Sequence, residues 1–374
     1  MELPRVLLEI VVLFKFLWTL INSPKPIRLS NKPFPLLHLP SLAHDVIFSQ
    51  MSAEKLYHLS KCSRRSRYAV RMFTRRQKYD FKICVFKSSC SLMFSSRFNV
   101  NTFCHIFPIW TSLDSIQPLE GDSLTTYSED FWAATKKEIL YFFDVFAKKV
   151  NRLKFYDTTN VTKMTEFLKE NTVLSVDWVI YEVSEIDDEL CKYVLKEYKD
   201  AKKLEVRAHL SAHFQFDDME PFTGDEIRIK DADWLRVDNL TRCFMNVEKV
   251  RLWSLFSRCM NVLVFGQFLN AWKNGLRVGK LNLVCDCTTN IDLQSILKNV
   301  PKTELKRVEV GNWKRVFKNG QCFLIRQEES GVEAIVYLIV DTPFINYWLC
   351  FATNFRLLGD DESVENRRQP FLLF

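Results

Sequence analysis

From residue 150 onward, apolar residues recur as a triplet at relative positions 0, 3 and 5. The triplets are Val150-Leu153-Phe155, Val173-Val176-Trp178, Ala201-Leu204-Val206, Gly224-Ile227-Ile229, Val247-Val250-Leu252, Val278-Leu281-Leu283 and Leu305-Val308-Val310. Successive starts lie 23, 28, 23, 23, 31 and 27 residues apart. The last two positions of each triplet are two residues apart, so on a strand they share one face. Stretches with helical spacing lie between triplets, among them Ile186–Tyr198, Met260–Trp272 and Ile291–Val300. One short strand with its return cannot bury its own apolar face, whereas a stack of such units can. The pattern predicts a mixed α/β solenoid lined by strands.

The triplet resembles the L-x-x-L-x-L core of leucine-rich repeats, which continues with Asn or Cys at position 8. Here position 8 is Thr158, Tyr181, His209, Ala232, Leu255, Asp286 and Trp313. None fits, so the repeat is irregular and its turns must be closed in another way. Gln321–Arg326 and Val332–Val340 are rich in strand formers and flank Gln327-Glu-Glu-Ser-Gly331, which predicts a hairpin. A hairpin there would cap the open end of the solenoid. The domain is bounded at 131–345, with 346–374 as a C-terminal tail.

The first half is punctuated differently. Val6–Ile21 is apolar but broken by Glu9 and Lys15 and shorter than the roughly 20 residues of a spanning helix. It is a candidate membrane anchor or interfacial helix; the alternatives are a packed leader and a gene-model extension. Ser23-Pro-Lys-Pro and Lys32-Pro-Phe-Pro are extended, so residues 1–33 form leader and linker. Three short helices follow within 34–76, the second capped by Ser52. Residues 77–130 carry a hairpin, Tyr79–Phe86 against Cys90–Phe94, and a loop without period. Phe131–Val150 reads as a helix with Ile139, Phe142, Phe143, Phe146 and Val150 on one stripe.

The net charge of +7 is concentrated. Nine Lys/Arg face only Asp80 between Lys61 and Lys82, a local sum of +8, so the other 352 residues sum to −1. That excludes a generally basic surface, and no nucleic acid is expected as partner; the run reads as the solvated face of the third helix. Eleven cysteines at irregular spacing, without C-x-x-C, read as reduced thiols of a cytoplasmic or nuclear protein. No G-x-S-x-G, G-x-G-x-x-G, G-x-x-x-x-G-K or H-E-x-x-H occurs. His209-Leu-Ser-Ala-His213 lacks a third ligand, and Cys285-Asp-Cys287 cannot chelate alone. No catalytic residue, cofactor or metal is expected. Two sequons, Asn160-Val-Thr and Asn239-Leu-Thr, occur at near-chance frequency.

Phe34-Pro-Leu-Leu-His-Leu-Pro-Ser-Leu-Ala-His-Asp-Val-Ile-Phe, continuing to Met51-Ser-Ala-Glu-Lys-Leu56-Tyr-His-Leu59-Ser-Lys-Cys62-Ser-Arg-Arg-Ser-Arg67, carries more apolar side chains than three short helices can hide. This segment resembles an F-box, most of all those of the large nematode F-box families, and the downstream region resembles their type 2 F-box-associated domain. The resemblance implies the substrate-recognition subunit of a cullin-RING (SCF-type) ubiquitin ligase. Leu36, Leu37, Leu39, Pro40, Val46, Ile47, Leu56 and Leu59 would then contact a Skp-type adaptor or support that contact. The downstream domain would hold an unknown protein substrate. The rival expectation is a solenoid binder outside any ligase, tethered to a membrane through residues 6–21.

Overall fold

The computed structural model describes residues 41–77, 79–96, 102–108, 123–146, 149–171, 175–211, 213–218, 220–253, 260–276, 280–287, 292–311, 313–341, 346–359 and 362. The chain is a mixed α/β protein that divides into two compact units. Unit 1 takes residues up to Phe81 and Leu92–Lys148; unit 2 takes Lys82–Ser91 and everything from Lys149.

Unit 1 is built on helices α1 (Ser41–Ser49), α2 (Ala53–Cys62) and α3 (Arg64–Arg76). Ser52 Oγ accepts from Lys55 N, as its N-cap position predicts. Ser63 and Ser66 form a reciprocal capping box that starts α3 one residue after α2 ends. The chain continues into strands β1 (Tyr79–Val85), β2 (Cys90–Ser96), β3 (Thr102–Pro108) and β4 (Ser123–Ser128), then α4 (Phe131–Val145). β3 and β4 pair in parallel within a stretch where the sequence offered no period.

Two boundaries drawn from the sequence move. The helix from Phe131 ends at Val145, and Val150 opens a strand instead of extending the stripe. That helix, assigned from the sequence to the repeat domain, belongs to unit 1. Tyr57 stacks on Phe142 at 5.0 Å, and its hydroxyl donates to Glu138 at 3.0 Å. Lys61 pairs with Glu138 at 3.0 Å, while Arg67 and Arg71 share Asp144 at 2.8 and 2.9 Å. Three short helices bury too little surface to stand alone, and α4 supplies the missing wall.

Unit 2 carries β5 (Val150–Phe155), α5 (Val161–Glu170), β6 (Val176–Tyr181), α6 (Asp188–Glu197), β7 (Lys203–Val206), β8 (Glu226–Lys230), α7 (Val237–Cys243), β9 (Lys249–Trp253), α8 (Met260–Lys273) and β10 (Asn282–Cys287). Then follow α9 (Leu293–Ile296), β11 (Lys302–Glu304), β12 (Arg307–Val310), β13 (Trp313–Val316), β14 (Cys322–Arg326), β15 (Glu333–Asp341), β16 (Asn346–Ala352) and β17 (Phe355–Leu357). The large sheet runs β1-β5-β6-β7-β8-β9-β10 in parallel, with β5 to β10 in chain order. It ends in antiparallel β16-β15-β14-β11.

Pairing register puts Ile83, Leu153, Val179, Leu204, Ile227, Val250 and Leu283 in one column. Val85, Phe155, Tyr181, Val206, Ile229, Leu252 and Cys285 form the column two residues on, and every side chain in both is at most 2% exposed. The triplets at 150, 201, 224 and 247 therefore sit in register. The one drawn at Val173 is three residues early, because Val179 and Tyr181 are the buried pair; the one drawn at Val278 is two early. The triplet at Leu305 is not in this ladder, since β12 lies in a separate sheet between β13 and β17. Ile83 and Val85 belong to the ladder upstream of the first triplet read from the sequence.

The turns are closed by side chains outside position 8. Asn160 Nδ2 donates to the carbonyls of Phe86 and Lys87, each at 3.0 Å, and Asn239 Nδ2 donates to Phe216 O at 2.8 Å. Both amides are buried, so the two sequons have a packing role. The predicted hairpin forms between β14 and β15, and Gln327 in its turn donates to Leu276 O at 3.1 Å beyond α8.

Residues 346–352, assigned from the sequence to a tail, are instead an interior strand. β16 pairs with β10 on one side and β15 on the other, and Phe351 packs edge-on against Phe268 and Trp272 of α8. Gly266, within α8, has nothing within 4 Å of where a Cβ would stand. Gly266→Ala is expected to raise stability by about 0.5–1 kcal/mol, because alanine loses less backbone entropy in a helix; urea unfolding would read the gain.

Candidate functional site

Leu36, Leu37, Leu39 and Pro40 lie outside the described residues. Val46 on α1 is 41% exposed, and Ile47 beside it is half-buried. Leu56 on α2 is fully buried, so its place is in the support of the helices and not on their surface. Leu59 is half-buried. α1 and α2 both pack on α3, with Phe48 edge-on to Phe73 at 5.5 Å. Tyr68 and Met72, one turn apart on α3, are 64% and 43% exposed, a pair the sequence reading passed over. The basic run is only partly solvated: Lys61, Arg67, Arg71 and Arg76 pair with Glu138, Asp144 and Asp45, while Arg64, Arg65 and Arg75 are exposed.

Unit 2 holds a surface that sequence reasoning missed. Strand residues alternate between faces, so the columns between the two buried ones point the other way. Across β1 and β5–β9 those columns hold Lys82, Arg152, Trp178, Lys203, Glu226 and Lys249, then Cys84, Lys154, Ile180, Glu205, Arg228 and Arg251. Tyr156, Glu182, Arg207 and Lys230 follow at the strand ends.

Several of these side chains form a connected lattice. Lys154 pairs with Glu182 at 2.9 Å, and Glu182 with Arg207 at 3.2 Å. Arg207 also holds Glu205, which lies 3.8 Å from Arg228. Arg228 pairs with Glu226 at 2.7 Å, and Glu226 also serves Arg251 and Lys203, both at 3.4 Å. Trp178 lies within the same lattice, with the Arg152 guanidinium 3.9 Å and Lys203 Nζ 5.4 Å from its ring centre. Its Nε1 and Glu205 Oε2 are buried without a hydrogen-bond partner among the described residues.

Three carboxylates thus serve a larger set of cations. Burial opposes the charged form of Glu226, but the Arg228 hydrogen bond and the charges of Arg228, Arg251 and Lys203 outweigh it and hold the carboxyl below its usual range. Burial likewise opposes ionised Glu182, and the hydrogen bond and charge of Lys154, with Arg207 and Lys230, outweigh it. A carboxylate whose pKa is lowered on folding adds stability above its unfolded value, and that stability is lost as pH falls. Unfolding midpoints are therefore expected to drop as pH is lowered from the ordinary glutamate value of 4.5. Glu226→Gln should flatten that slope, as urea titrations at successive pH values would show.

His209 Nδ1 lies 2.8 Å from Asp231, and His213 sits in a turn. Among the described residues no cluster of three or more His, Cys, Asp or Glu could hold a metal. Cys62, Cys84, Cys90, Cys191, Cys243, Cys285, Cys322 and Cys350 form no disulfide, and all but Cys62 and Cys84 are buried. No helix among the described residues is long and apolar enough to cross a membrane, and residues 6–21 lie outside them. Comparison with known proteins finds no matching family model, curated protein or solved structure.

Proposed function

We propose that the chain is a non-catalytic substrate receptor of a cullin-RING ubiquitin ligase, working in the cytoplasm or nucleus. In this reading the helices from Ser41 to Arg76 are an F-box that docks on a Skp-type adaptor. Unit 2 is an irregular leucine-rich-repeat-like solenoid that presents its charged strand face to a protein substrate. The adaptor joins the receptor to the scaffold, and transfer follows from proximity of substrate to the ubiquitin-loaded enzyme.

The observation that carries the reading is the exposure of Val46, Tyr68 and Met72 on helices whose other faces are packed. Apolar side chains left exposed on a small helical unit favour a partner. Burying three of them would contribute roughly 1.5–3 kcal/mol each before association costs.

Co-expression with a Skp-type adaptor, followed by size-exclusion chromatography, tests the reading. A one-to-one complex is expected from the wild type. It should be lost in a Leu37→Asp, Val46→Asp double variant whose circular dichroism is unchanged. A wild type that stays folded and elutes without adaptor contradicts the proposal.

A further inference from the structure

We infer that the strand face of unit 2 binds an extended, carboxylate-rich segment of a partner protein. The inference deepens the receptor reading and rests on it for the statement that the occupant is a substrate.

The first ground is charge complementarity. Apart from residues 61–82, the chain is nearly neutral. Yet this one face gathers Arg152, Lys203, Arg207, Arg228 and Arg251 on adjacent strands. Glu226 alone is shared by Arg228, Arg251 and Lys203. Cations held in place by shared carboxylates are already ordered, so a ligand carboxylate meets donors at reduced entropic cost. Arg152 has no carboxylate at ion-pairing distance among the described residues; it lies against Trp178. A guanidinium held on an aromatic face keeps donors free for a bidentate acceptor.

The second ground separates peptide from nucleic acid. Glu182, Glu205 and Glu226 are interleaved through the lattice, and the phosphates of a nucleic acid offer them no donor. An acidic peptide also carries backbone N–H groups, which such carboxylates accept. The Trp178 Nε1 donor and the Glu205 Oε2 acceptor, both without a hydrogen-bond partner among the described residues, fit an occupant that offers acceptors and donors together.

The probe is fluorescein-labelled decaglutamate, with decalysine and a deca-uridylate strand alongside, titrated against the full chain by fluorescence anisotropy. Decaglutamate is expected to bind, to weaken as salt screens the contacts, and to lose about tenfold or more in affinity in an Arg152→Glu, Lys203→Glu variant. The milder Arg152→Gln, Lys203→Gln pair guards against misfolding and should lose a smaller factor. Arg64→Glu, Arg75→Glu, which reverses exposed charge on α3, should leave the affinity unchanged. No decaglutamate binding, an equal loss in the α3 variant, or tighter deca-uridylate binding through the same face would each overturn the inference. Adaptor co-elution measured on the same samples keeps the two readings apart. Loss of adaptor binding with decaglutamate binding intact would sink the ligase reading alone.

Discussion

Glu226→Ala is expected to destabilise unit 2 by roughly 2–4 kcal/mol, more than an ordinary surface carboxylate could account for. The side chain is 5% exposed and accepts from Arg228 at 2.7 Å, with Arg251 and Lys203 at 3.4 Å. Removing it leaves a largely buried Arg228 with Glu205 as its remaining counter-charge, at 3.8 Å. Breaking one member of a fully buried pair costs about 3–5 kcal/mol, and the partial exposure of Lys203 and Arg251 discounts that range. Urea unfolding followed by circular dichroism gives the number. A change under about 0.5 kcal/mol would mean that solvent screens the lattice and that it contributes little. A double-mutant cycle with Arg228→Ala should return a coupling of about 1 kcal/mol or more, as groups in one network do not add independently.

Gly224→Ala should cost at least about 2–3 kcal/mol, for a reason of backbone contact instead of charge. A Cβ at that position would stand 2.0 Å from the carbonyl oxygen of Ala201, which no rotamer can relieve. The segment is held there by Thr223 N to Lys199 O at 3.1 Å and Asp225 N to Lys202 O at 2.8 Å. Relaxation would therefore have to pull the entry of β8 away from the turn after α6. Gly266→Ala, with the opposite expected sign, is the control that separates contact from loss of glycine as such. Thermal melts of the two variants should move in opposite directions. Equal behaviour would contradict the close approach at Gly224.

Legibility in the sequence followed the strength of the local pattern. Leu204, Ile227 and Val250 are spaced 23 residues apart, and their register in the ladder could be read directly. The register slipped at Val176 because Val176-Val179-Tyr181 satisfies the same template as the triplet three residues earlier, and at Leu281 because the triplet in register, Lys280-Leu283-Cys285, begins on a lysine. β16 was missed because a strand covered on both faces shows no alternation: Trp348 and Cys350 face the cluster under the small sheet while Leu349 and Phe351 are buried as well. The helix at Phe131 was assigned to the wrong unit because its partners, Tyr57 and Lys61, lie far back in the sequence.

The charged face was hidden for a related reason. Lys154, Glu182, Arg207, Arg228 and Glu226 look like ordinary surface residues until parallel pairing stacks them. A signal was present, since charged residues recur between the two buried positions of Ile227 and Ile229 and of Val250 and Leu252. Reading the template for what sits between the apolar positions would have found it. At the helical end, Val46 could be separated from Leu56 only by knowing which neighbour covers each.

The central claim is that unit 1 binds an adaptor while the strand face of unit 2 stays free for a substrate. Hydrogen–deuterium exchange of the full chain, alone and with a Skp-type adaptor, addresses it most directly. The account predicts added protection within residues 34–76 and none over β6 to β9. Protection over Val176–Trp253 without change in 34–76, or no adaptor-dependent protection anywhere, would contradict it.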